Sequence, residues 1–123
     1  MKSKLIIIMI FLLGTLASCT KDTVKPTVLP STTTAVKLST DLQPLFTSNC
    51  AVSGCHDGSN MPPDLTAGNS YTAMMDAGVI DTANPSNSTL YKKVNTGGSM
   101  ANYANPTFAS KVLQWITEGA KNN

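Results

Sequence analysis

Apolar residues along this chain fall into three regimes. Leu5 to Leu13 is an unbroken apolar run, long enough for the core of a secretory signal and too short to span a bilayer. Thr20 to Val36, TKDTVKPTVLPSTTTAV, scatters its apolar residues without period among Thr, Pro and Ser. No face of it buries enough surface to offset the entropy of ordering, so it reads as a tether. Extended at about 3.1 Å per residue, it reaches roughly 50 Å.

From Lys37 onward the apolar positions recur at helical spacing, in short bursts. Leu42, Leu45 and Phe46 predict a first helix capped by Ser39 or Thr40, with Pro44 tolerated only in the first turn. Tyr71, Met74, Met75 and Val79 predict a second helix after Asn69 and Ser70. Leu90, Tyr91 and Val94 predict a third, between the Asn84-Pro85 break and Gly97-Gly98. The last is the clearest: Asn105 as cap, Pro106 at the first position, then Phe108, Val112, Leu113, Trp115 and Ile116, with Gly119 as stop. Alternating β-branched runs and hairpin turns are absent. The expected class is all-α, with long loops, and at this size a side-chain core alone is marginal.

Charge divides the chain as patterning does. Lys2 and Lys4 precede the apolar run, and Leu16, Ala17, Ser18 and Cys19 resemble the bacterial lipobox, whose cysteine is acylated and becomes the first mature residue. The expected organisation is a lipoprotein signal peptide at 1–18, a lipidated Cys19 with its tether at 19–36, and one domain at 37–123. The chain would then be exported and held to the lipid bilayer of a bacterial cell envelope, at the outer membrane, on its periplasmic or surface face. The 37–123 domain carries five lysines, six acids and no arginine. It has no basic stripe to neutralise phosphates, so nucleic acid is not an expected partner. Setting Cys19 aside leaves a pair, Cys50 and Cys55, in an oxidising compartment.

The candidate chemistry lies in NCAVSGCHDG, Asn49 to Gly58, which contains that pair and the sole histidine, His56. Three readings are open. A disulfide suits the compartment but leaves His56 unexplained, and closing so short a loop removes little unfolded-state entropy. A zinc site lacks a fourth ligand, because Asp57 is too close in sequence to complete a tetrahedron. A c-type haem would be attached through both sulfurs, with the histidine after the second cysteine on the iron. Two spacer residues are usual there. The four found here require the backbone to bulge outward, which Ser53 and Gly54 permit.

STDLQPLFTSNCAVSGCHDG resembles the entry to the class I cytochrome c domains of bacterial surface lipoproteins, related to the planctomycete type, in which a stretched motif with four spacers occurs. NPSNSTLYKKVNTGGSM resembles that family's approach to the distal methionine, and VLQWITEGAKNN its closing helix. The resemblance covers nearly the whole domain. It implies a small helical domain wrapped around one covalent haem c held by Cys50 and Cys55, with His56 as proximal ligand. It also implies a lipid-anchored monohaem electron carrier that exchanges electrons with redox partner proteins and is not an enzyme. Paired carboxylates, a second histidine and a Ser-His-Asp set are missing from the chain, so catalysis has no candidate residues. The rival readings are a disulfide-stapled lipoprotein acting as a binding or structural module, and a small haem peroxidase with an open distal site.

A methionine is the expected sixth ligand, since no second histidine exists. Met61 follows His56 by five residues, at most about 18 Å of extended chain, a taut path around a porphyrin. Met74 and Met75 read as core packing on the second helix. Met100 corresponds in the resemblance to the axial methionine, and Gly97 with Gly98 would let backbone approach the macrocycle. The family pattern has proline next, where this chain has Ala101. Met61 and an open position are the alternatives. Trp115 is expected to pack against Phe46 and the haem edge, with its indole N–H or Tyr91 available to a propionate. Lys92 and Lys93 are expected on a solvated helix face or steering an acidic partner.

Overall fold

The computed structural model describes residues 34–123. The signal peptide assigned to 1–18, the lipidation of Cys19 and most of the tether lie outside the described residues. Among those described, the elements are all helical. A π-helical turn, Leu38–Leu42, runs into α1, Gln43–Asn49; α2 is Ser70–Asp76; a 3-10 turn, Pro85–Asn87, precedes α3, Thr89–Val94; a second, Ala101–Tyr103, precedes α4, Pro106–Thr117. No helix among them is long and apolar enough to cross a membrane.

The π turn has a local cause. The Gln43 N–H donates to Leu38 O, a five-residue step, immediately before Pro44, which occupies the first turn of α1. A proline ring clashes with the carbonyl four residues back in a regular α-helix, and the wider turn relieves the clash. Leu38, Leu42 and Phe46, at fourfold spacing, are all buried. The cap differs from the expected one: Asp41 Oδ2 accepts the Lys37 N–H at 2.9 Å, and neither Ser39 nor Thr40 caps. That hydrogen bond is the first cause of the lowered Asp41 pKa.

α4 follows its predicted grammar. Asn105 Oδ1 accepts the Phe108 N–H at 2.8 Å, satisfying one of the free donors of the first turn. Phe108, Val112, Trp115 and Ile116 are buried on one face, each stabilising by roughly 1.5–3 kcal/mol relative to exposure. Phe108 meets Phe46 of α1 edge-on, with centroids 5.6 Å apart and planes at 65°. The helix ends in a Schellman motif: Gly119 N–H donates to Ile116 O at 3.0 Å and Ala120 N–H to Trp115 O at 2.9 Å.

The two ends of the described chain clasp each other. Val36 N–H donates to Glu118 Oε2 at 2.9 Å, Leu38 N–H to Asn123 Oδ1 at 3.0 Å, and Ser39 N–H to Asn123 O at 2.8 Å. These bonds satisfy donors that open the first helical segment. Val36, assigned from sequence to the tether, is 6% exposed and belongs to the core. Trp115 is buried as expected, but its indole N–H donates to Lys121 O at 2.9 Å, so the C-terminal tail has taken it and it is not free for a propionate.

Candidate functional site

One cavity of about 540 Å³ brings together Cys50, Cys55, His56, Met61 and Met100. Its volume falls within the roughly 300–1,000 Å³ of small-molecule and cofactor sites. Phe46, Leu65, Val79, Leu90 and Val94 give it an apolar lining, and Asn49, Thr89, Lys93 and Tyr103 complete it with the Pro62-Pro63 pair.

The cysteine loop is built by backbone bonds at the end of α1. Cys50 and Ala51 N–H both donate to Phe46 O at 2.8 Å, so the helix stops where the first thiol is delivered. Cys55 N–H donates to Val52 O at 2.9 Å and His56 N–H to Cys50 O at 3.0 Å. The intervening Val52, Ser53 and Gly54 are exposed, with Gly54 at φ +82°. Three of the four spacer residues therefore project into solvent, Ala51 packs against the core, and both cysteines stay on the cavity wall. Both are free thiols, and Cys50 is pushed up to about 11, chiefly by burial and secondarily by Cys55. Asp57 closes the turn by accepting the Ser59 hydroxyl at 2.6 Å and the Ser59 N–H at 3.0 Å. Those bonds, the hydroxyl first, hold its carboxyl below the usual range.

His56 has a fixed tautomer. Its Nδ1 lies 3.2 Å from Met61 O and 3.1 Å from Pro63 O. Carbonyl oxygens only accept, so Nδ1 carries a proton, and in the neutral imidazole the lone pair is then on Nε2. An imidazole held in this way turns Nε2 away from its carbonyl partners, with the carbonyl contacts fixing the ring. Among the described residues, no three of His, Cys, Asp or Glu are grouped closely enough to share one metal ion. The two thiols and the imidazole line one cavity.

The four methionines separate. Met74 is fully buried and lies away from the cavity; Met75, expected beside it in the core, is 43% exposed and also away from it. Met61 lines the cavity but is 52% exposed, and its own carbonyl is engaged by His56 Nδ1. Met100 is half-buried against the core and comes from a different segment, anchored where its N–H donates to Lys93 O at 2.8 Å. Gly98 has another role than approach to a macrocycle: a Cβ there would collide with the carbonyls of Lys92 and Lys93. Its missing side chain lets the chain fold back over the end of α3 and present Met100.

Tyr91 packs on the core and does not line the cavity. Two residues that do were assigned no such place from sequence. Lys93 follows Leu90 by three positions on α3 and so shares its face, unlike Lys92. Tyr103 follows Met100 by three, the spacing at which side chains eclipse in a 3-10 turn. Comparison of the chain with protein-family models, curated proteins and solved structures gives no match.

Proposed function

We propose that this chain is a lipid-anchored monohaem c-type cytochrome acting as an electron carrier. The observation that carries the reading is the His56 imidazole, its Nδ1 committed to two carbonyls, on the wall of a cavity shared with two free thiols and a methionine. The donor set fits haem c: Cys50 and Cys55 would hold it as thioethers, His56 Nε2 would be its proximal ligand and Met100 its distal one. When bound, the haem supplies a one-electron couple at iron.

The chain's own residues set the conditions for that couple. The Met61 and Pro63 carbonyls keep the imidazole in one tautomer and strengthen it as a donor. Met100 offers a soft sulfur, which favours the reduced state more than a second imidazole would. Phe46, Leu65, Leu90 and Val94 exclude water and lower the local dielectric. Anchoring through Cys19, the export signal and the resemblance of the three quoted segments to class I cytochromes c rest on sequence and place the carrier at the envelope, where redox partner proteins would meet it.

A reduced-minus-oxidised absorption spectrum of the full chain, expressed with a cytochrome maturation system, tests the reading. Sharp bands of a low-spin c-type haem are expected. A colourless, folded protein returns the chain to the class of binding or structural lipoproteins, and a high-spin spectrum with ligand-accessible iron places it with small haem enzymes.

A further inference from the structure

Lys93 stands alone in the cavity. It is the one Lys, Arg, Asp or Glu among the residues that line it, it is exposed, and it shares a mostly apolar wall with the neutral side chains of Asn49, Thr89 and Tyr103. No side chain of the described residues offers it a carboxylate; the ion pair they contain joins Lys111 to Asp41 at 3.7 Å. Its backbone is fixed independently, because Lys93 O accepts the Met100 N–H. The side chain can therefore be changed while the segment carrying Met100 stays in place.

A haem has one edge bearing two carboxylates, which a mostly apolar wall accepts at least cost where a cation pairs them; Asn49, Thr89 and Tyr103 can add hydrogen bonds but no charge. Cys50 and Cys55 sit on the loop after α1, whereas Lys93 sits on α3. We propose that Lys93 is a positioning residue that receives the carboxylate edge, fixing how the group lies in the cavity and biasing its potential. This inference rests on the cytochrome reading. A cation beside that edge favours the state with the additional electron, so it raises the midpoint potential. Lys92, the adjacent lysine, does not line the cavity and provides a control with the same change in net charge.

The test uses the full chain matured with haem, with spectroelectrochemical titration of the wild type and the variants Lys93→Gln, Lys93→Met, Lys93→Arg and Lys92→Gln at low ionic strength. The neutral Lys93 variants are expected to shift the potential downward, Lys93→Arg to hold it near the wild-type value, and Lys92→Gln to move it clearly less. Failure of both neutral variants to retain haem while Lys93→Arg retains it also supports the assignment. Equal shifts for Lys93→Gln and Lys92→Gln, or no shift for Lys93→Gln, overturn it and leave the cytochrome reading standing. Absence of covalent haem from the wild type overturns that reading itself.

Discussion

The Nδ1 atom of His56 lies 3.1 Å from the carbonyl oxygen of Pro63, and a second carbonyl, that of Met61, flanks it at 3.2 Å. Two acceptors at one nitrogen fix a proton there and leave Nε2 as the nitrogen not engaged by them. His56→Ala removes that atom while leaving both cysteines. The matured variant is expected to lose the low-spin spectrum of the wild type, as read by absorption and magnetic circular dichroism.

Met100 and Met61 line the same cavity but differ in burial and in what holds their backbones. Met100→Ala is expected to abolish the sulfur-to-iron charge-transfer band and lower the potential. Met61→Ala is expected to preserve the band. The opposite pair of results would assign the distal position to Met61, and a wild type without the band would leave it open.

Gly98 has no room for a methyl group because the carbonyls of Lys92 and Lys93 occupy the space. Backbone must move to admit one, so Gly98→Ala is expected to destabilise the domain by about 1–3 kcal/mol, within the range for overpacking. Urea denaturation reads the loss, and a weakened sulfur-to-iron charge-transfer band in the matured protein is expected with it. At the other end of the same segment, Asn105→Ala removes the α4 cap and is expected to cost about 1 kcal/mol with the spectrum unchanged.

Burial raises the Cys50 thiol from 9.0 to about 11 in the protein without thioethers. The folded state then binds the proton more tightly than the unfolded state, so this contribution to stability is complete below pH 9 and is lost as pH rises through about 11. Unmatured protein kept reduced is expected to lose stability across that window in denaturation curves, and Cys50→Ser to lose less. Matured protein, its sulfur alkylated, should lack this component.

Much of this architecture was legible in the sequence because its signals are local. Asn105, Pro106 and the apolar stripe through Ile116 specify α4 without reference to anything distant, and the Ser53-Gly54 pair marks the exposed part of the cysteine loop. The π turn was not read from the sequence although its cause, Pro44, is local: a proline in the first turn is equally compatible with a regular helix start, and the choice between them lies in the backbone hydrogen bonds. Trp115 donates to Lys121 O because the C-terminal tail folds back, a contact that helical periodicity cannot anticipate. Met74 and Met75 are adjacent in sequence and opposite in burial: helical spacing placed both near the core, and the packing of a seven-residue helix kept only one. Lys93 could have been found from its spacing to Leu90, but a Lys-Lys pair draws attention to solvent and away from the cavity.

The most direct test of the central claim is the intact mass of the full chain purified from cells with a cytochrome maturation system. The expected mass exceeds that of the processed, lipidated polypeptide by one haem, retained through acid-acetone extraction, and Cys50→Ser and Cys55→Ser each leave only one thioether. A mass two hydrogens below that of the reduced, lipidated polypeptide, in colourless protein, would mean that the two sulfurs are joined to each other and would contradict the account.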